Sequence, residues 1–250
     1  MQSFPEGGVF AGAWRRHPRW VFFILALATA FTILLALRLA QKPALRDGIP
    51  YSLALQARNG ELLRLTLAQD GQYRLWTPLA KMSPKLVAAV ELYEDRWFRW
   101  HCGVNPVALL RGAWATASGD RRQGGSTLTM QLARRLYRID SRSVGGKIHQ
   151  LAAALWLEAR YSKDEILEAY LNLAPYGGNI EGVGAAALVY FHKPVVQLSL
   201  PEALTLAVIP QNPKKRLANV ALSGKIDGVL RQTVSRLWQR WRDKYPEDRR

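Results

Sequence analysis

A mainly α-helical domain, preceded by a small β element and one apolar anchor helix, is what this sequence predicts, and three observations carry the prediction. An uncharged run from Trp20 to Leu37 has the length and composition of a membrane span. Residues 51–76 alternate apolar and polar side chains around turn-forming dipeptides. From Thr77 onward the apolar spacing becomes helical, punctuated by serine caps and by Gly and Pro stops.

Composition bounds the partners. The 250 residues hold 35 Lys plus Arg against 19 Asp plus Glu, a formal charge of +16. With 49% hydrophobic residues and nine Trp, the chain buries a sizeable core, so disordered, collagen-like and coiled-coil readings are excluded. The single cysteine, Cys102, excludes an intrachain disulfide and a Cys-based zinc site, and it reads as a small packed residue. So strong a positive charge points to nucleic acid or to anionic lipid and phosphate.

The run WVFFILALATAFTILLAL, residues 20–37, spans about 27 Å as a helix, enough to cross a bilayer. Arg15, Arg16 and Arg19 precede it with only Glu6 against them, which sets the N-terminus inside and the rest outside the cytoplasm. A cleaved signal peptide has a shorter apolar region and a small-x-small site, and Arg38-Leu39 interrupts such a site here. Outside the cytoplasm nucleic acid is no partner. The chain therefore divides into a cytoplasmic N-terminus (1–19), a transmembrane anchor (20–37), a linker (38–50), a β element (51–76) and a helical domain (77–245).

Within the β element, SLALQA and ELLRLTL flank Asn59-Gly60, a hairpin signal, and Asp70-Gly71 offers a second turn before QYRLW. Ser83-Pro84 opens the first helix of the domain. Ser162 with Glu165 and Ser199 with Glu202 form capping boxes for two later helices. The last segment sets Leu230, Val234, Leu237, Trp238 and Trp241 on one face among Arg231, Arg236, Arg240 and Arg242. It either packs on the domain or rests on the membrane interface, and the tail after Tyr245 is expected to fray.

Three constellations could carry chemistry. Glu94-Asp95-Arg96-Trp97-Phe98, followed by His101, Gly103 and Asn105, falls at a helix end. There Glu94 is either a desolvated general base or half of a surface acid pair. Gln123-Gly124-Gly125-Ser126-Thr127 leads into a helix carrying Gln131, Arg134 and Arg135, with Arg138, Arg142 and Lys147 following. Such a helix start suits phosphate oxygens, while an ordinary cap with a solvated basic face fits equally. Pro175 to Ala186, rich in glycine, allows close approach of backbone to a ligand or to another helix.

Taken in order, EDRWFRWHCGVNP, GGSTLTMQLAR, GKIHQLAAALWLE, YSKDEILEAYLNLAPYGGNIEGVGAAA and LSLPEALTLAVIPQNP closely resemble the motifs of the peptidoglycan glycosyltransferase family, family 51. The resemblance covers about Leu79 to Pro213. It implies a lysozyme-like, two-lobed helical fold flanking a cleft, set against the outer face of the cytoplasmic membrane. Its implied partners are lipid II and the nascent glycan strand, with other cell-wall synthases alongside. By motif position it implies Glu94 as the base that deprotonates the acceptor 4-hydroxyl, with inversion at the donor carbon and release of undecaprenyl pyrophosphate. Ser126, Gln131 and Arg134 match the ligand-contacting residues, Arg142 and Lys147 the pyrophosphate cations, and Asp95, Phe98, His101 and Gln150 the supporting positions. No cofactor is required by the sequence. Some members of the family use a divalent cation, Mg or Mn, at the pyrophosphate.

Two departures stand out: Met130 replaces the first of a usual glutamine pair, and Gln150 replaces the acid of the RKxxE motif. Both resemble the branch of penicillin-binding protein 1C. Gln150 cannot serve as a second acid, so a single-carboxylate mechanism is expected, with Glu158 and Glu168 structural. These residues contain no Ser-x-x-Lys and no Lys-Thr-Gly, so no transpeptidase activity is expected. The competing expectations are a lipid II-binding scaffold with impaired catalysis and a lytic enzyme. The latter needs a protonated acid at the glycosidic oxygen.

Overall fold

A computed structural model describes residues 18–58, 62–117, 125–218 and 228–249. The chain separates into two units, Met1–Lys42 and Pro43–Arg250. In the first, helix α1 runs from Pro18 to Leu39, slightly longer than the predicted span. From Arg19 to Leu39 its mean hydropathy is 2.5 and none of it is buried, so it is long and apolar enough to cross a bilayer.

The second unit opens with an antiparallel pair, β1 (Ala54–Gln56) and β2 (Leu62–Leu65), in which Ala54 faces Leu65 and Leu55 faces Arg64. The predicted Asn59-Gly60 turn lies outside the described residues. QYRLW does not continue this hairpin as a third strand. Tyr73 instead bridges Ile180, exchanging hydrogen bonds with Asn179 and Glu181. Arg74 fixes the arrangement, being buried with one Nη2 at 3.0 Å from both Asp70 and Glu181.

The helices follow: α2 (Pro84–Glu94), α3 (Pro106–Ala117), α4 (Leu128–Leu136), α5 (Val144–Arg160) and α6 (Lys163–Leu173). A two-strand hairpin, β3 (Pro175–Gly177) with β4 (Ile180–Glu181), precedes α7 (Val183–Phe191). Then come α8 (Leu200–Val208), the short α9 (Pro213–Leu217) and α10 (Gly228–Lys244). The glycine-rich stretch thus opens with a hairpin. Packing dictates Gly182, which has φ +84° and where an added Cβ would stand 2.4 Å from the Asn172 carbonyl oxygen.

Two groups of helices make the core. One joins α4, α5 and α6, the other α2, α8 and α10, with α7 packing on both α6 and α8. Leu128, Leu132, Leu157, Ile166, Leu167 and Leu171 are fully buried in the first, Leu86, Ala89 and Leu206 in the second. On α10, Leu230, Leu237 and Trp241 are buried, and Val234 and Trp238 pack against the core, which decides for packing over a membrane-resting helix. The tail does not fray: Pro246–Arg249 forms a 3₁₀ turn. Trp241 Nε1 donates to Asp248 at 3.0 Å, and Lys85 pairs with the same carboxylate at 3.4 Å.

Both capping boxes form. The Glu165 N–H donates to Ser162 Oγ while the Ser162 N–H donates to Glu165. Glu202 accepts from the N–H and hydroxyl of Ser199. Ser83 precedes Pro84 at the start of α2 without a side-chain cap.

Candidate active site

Glu94 is the last residue of α2 and reaches across to the other helix group. Its Oε2 accepts a hydrogen bond from Gln131 Nε2 of α4 at 2.8 Å. Its Oε1 is buried and has no partner. Burial holds the Glu94 carboxyl above the usual carboxylate range. The Gln131 hydrogen bond and the charge of Arg216 pull it back, and neighbouring Asp95 adds a small upward push. The surface acid pair is thereby excluded, because the two carboxylates have separate environments and separate tasks.

Asp95 points the other way. It is buried and accepts from His101 Nε2 at 2.9 Å and from the Leu128 N–H at 3.1 Å. His101 Nδ1 accepts from the Gly103 N–H at 3.1 Å, which leaves the ring proton on Nε2, directed at Asp95. Asp95 therefore ties the end of α2, the loop 96–104 and the start of α4 into one network. Phe98 is buried beneath that loop with its ring edge-on to His101 and Lys163 Nζ 4.5 Å from its centroid. Gly103 has φ +85°, and a Cβ there would meet Glu158 Cγ at 2.7 Å. The Asp95→Ala variant strands the Leu128 donor and the histidine, so it is expected to cost about 3 kcal/mol of stability. A thermal melt checks this, and an unchanged midpoint would remove Asp95 from the framework.

The helix start after Gly125 is less open to an anion than its sequence suggests. The Leu128 N–H is taken by Asp95, the Met130 N–H by Thr127 Oγ1, and the Thr127 hydroxyl donates to the Gly103 carbonyl. Gly124 lies outside the described residues. Positive charge gathers one helix away: Lys147 Nζ donates to Ser126 Oγ at 3.0 Å and to Gln150 Oε1 at 2.9 Å. Burial, then the charge of Arg134, lowers the Lys147 pKa. Arg134 itself is exposed. Arg142 stands apart, its side chain 95% exposed and only 3.8 Å from Asp140.

Gln150 explains its own departure from the family motif. It is buried, its Nε2 donates to the Met130 carbonyl at 2.7 Å, and its Oε1 holds Lys147. An amide supplies a donor and an acceptor at once, which a carboxylate cannot. Glu158 and Glu168 are structural, as expected. Glu158 pairs with Lys163 at 2.7 Å and accepts from Thr129 at 2.6 Å, and Glu168 accepts from Trp76 Nε1 and the Leu79 N–H. Cys102, expected to be packed, is exposed, because its neighbour His101 turns inward and sends the next side chain out. Among the described residues no three or more His, Cys, Asp or Glu side chains come together to hold a metal. Among the described residues the acidic position of the motif is taken by the neutral amide of Gln150, which brings no charge for a divalent ion.

The transglycosylase domain family matches residues 59–234 of this chain. The chain belongs to that family. A biosynthetic peptidoglycan transglycosylase of Pasteurella multocida (strain Pm70) is 37% identical over 196 residues, covering 78% of this chain and 79% of that protein. Penicillin-binding protein 1C of Escherichia coli (strain K12) is 42% identical over 189 residues, which cover 74% of this chain and 24% of that protein. A Rhodospirillum centenum biosynthetic peptidoglycan transglycosylase is 39% identical over 153 residues, 61% of this chain and 66% of that one. The transglycosylase match spans both helix groups, so Glu94, Gln131 and Lys147 all lie within it. Tyr93, beside Glu94 on α2, and Arg216, whose charge acts on Glu94, are residues the sequence did not single out. Arg216 ends the run Lys214-Lys215-Arg216, and no spacing distinguishes its buried member.

Proposed function

We propose that this transglycosylase polymerises lipid II into glycan strands at the outer face of the cytoplasmic membrane, with Glu94 as its general base. The observation that carries the reading is a half-engaged, desolvated carboxylate: one oxygen fixed by Gln131, the other buried and unpartnered. In the proposed step Glu94 takes the proton of the acceptor 4-hydroxyl, whose oxygen attacks the donor anomeric carbon from the face opposite the pyrophosphate. The bond from that carbon to the phosphate oxygen breaks, and its electron pair leaves with undecaprenyl pyrophosphate. Configuration inverts. A pyrophosphate is already a weak base, so the leaving group asks for cations more than for a proton. The charge of Arg134 is felt at Lys147, which supports that role for the two of them. Arg142 stands outside their group and would need substrate to draw it in.

Membrane apposition has support of its own. Trp97, Trp100, Val107, Leu110 and Trp114 are between 51% and 84% exposed, an apolar surface with three tryptophans on the loop after α2 and on α3. Tryptophan favours the bilayer interface. With α1 as anchor and arginines before it, the N-terminus is assigned to the cytoplasm and the domain to the opposite face. The reading includes no transpeptidase activity in these 250 residues.

Purified protein mixed with lipid II tests both parts. Glycan strands and released undecaprenyl pyrophosphate are expected on one gel, and no covalent labelling by a fluorescent penicillin. Lipid II bound without polymerisation would favour a scaffold instead, and penicillin labelling would refute the monofunctional reading.

A further inference from the structure

One charged side chain is buried near the candidate base with no carboxylate of its own. Arg216 on α9 is 6% exposed. Its Nη2 donates to the Tyr93 hydroxyl at 2.6 Å and to Gln211 Oε1, and its Cζ lies 5.4 Å from the Tyr93 ring centroid. The Tyr93 hydroxyl in turn donates to Gln211 Oε1 at 2.8 Å. Both partners are neutral. Among the described residues no carboxylate stands within ion-pair distance of Arg216, and its Nη1 is buried without a hydrogen-bond partner.

A guanidinium stays charged when buried, so its field must act on whatever carboxylate is near. Tyr93, which anchors it, is followed on α2 by Glu94, whose Oε1 is also buried and unengaged. The other groups around the base differ in kind. Asp95 spends its charge on His101 and α4. Tyr170 of α6 and Tyr176 of β3 are fully buried phenols, raised by burial and both within the field of Glu94. Arg134 and Arg135 of α4 act on Tyr170, and Arg240 of α10 acts on Tyr93. Arg216 is the cation whose charge weighs on Glu94 itself.

A base in this setting has two conflicting requirements. It must stay ionised at neutral pH despite desolvation, and it must keep an oxygen free for the incoming hydroxyl. A bidentate arginine would meet the first and defeat the second by occupying both oxygens. We propose that Arg216 is a positioning residue that meets both requirements: held on Tyr93 and Gln211 instead of on the carboxylate, its guanidinium keeps Glu94 ionised at one remove and leaves Oε1 open to the acceptor. The proposal rests on the reading of Glu94 as the base.

The pH profile of kcat/KM on lipid II tests it, because that profile reports the titration of the free enzyme. In Arg216→Met the acid limb is expected to move up by at least about half a pH unit, a roughly threefold loss on that limb that closes at higher pH. Arg216→Lys, which restores the charge, is expected to return the limb toward that of the wild type. Tyr93→Phe, which keeps the charge but removes one of its two anchors, should move the limb the same way by less. A uniform loss at every pH, or an unmoved limb in either Arg216→Met or Tyr93→Phe, overturns the proposal, and Tyr93→Phe keeps it testable if Arg216→Met does not fold. Glu94→Gln in the same assay separates the two readings: full activity there sinks the base assignment itself, whereas inactivity at all pH with an unmoved Arg216→Met limb sinks only the role of Arg216.

Discussion

Glu94→Gln is expected to lower lipid II polymerisation by about 10²–10⁴-fold, the range removed with a general base. The same change should make the protein more stable at neutral pH. Burial raises the folded-state pKa of Glu94 above its ordinary value. The native state therefore binds this proton more tightly than the unfolded chain, and stability falls as pH climbs through that window. Glutamine removes the penalty and still accepts from Gln131. Activity should vanish while the melting temperature rises, and the wild-type rate should fall as pH drops through the raised carboxyl pKa. A variant that loses activity and stability together would mark Glu94 as a framework residue. Retained polymerisation would move the base elsewhere.

Lys147→Ala carries the second large effect, an expected loss of about 10²–10³-fold, comparable to removing one donor from a preorganised charge-stabilising site. The ammonium is fixed before substrate arrives, by Ser126 Oγ on one side and Gln150 Oε1 on the other. Charge accumulates on the pyrophosphate as the bond to the anomeric carbon breaks, so kcat should fall more than KM rises. Burial and Arg134 lower the Lys147 pKa. The alkaline limb of the rate profile should therefore set in below the ordinary lysine value and disappear in Lys147→Arg, whose guanidinium does not titrate. Loss of affinity with an unchanged kcat would instead describe a uniform binding contact.

The sequence made the helices and the placing of Glu94 legible because each is a local matter of periodicity, caps and one ordered motif. The anchor helix, the capping boxes and the position of Glu94 at the end of α2 all follow from residues within about four positions of one another. Long-range pairings were not legible. QYRLW looks like a third hairpin strand, yet Tyr73 pairs more than a hundred residues away, with Ile180, beside the long-range ion pair of Arg74 with Glu181. Nor could spacing distinguish Lys147, which is drawn inward by Ser126 and Gln150, from Arg142, which stays in solvent. Arg216 illustrates the same limit: its burial depends on Tyr93 and Gln211 meeting it from two other segments.

The folded-back tail carries a practical consequence. Asp248 meets Trp241 and Lys85, and Lys85 lies in the first turn of the helix whose last residue is Glu94. Nine residue steps along the helix set Lys85 about 14 Å from Glu94. A fluorophore placed just beyond Asp248 would thus sit beside the end of α2 that is remote from the carboxylate. Such a label could report the approach of the glycan during turnover without standing in its path.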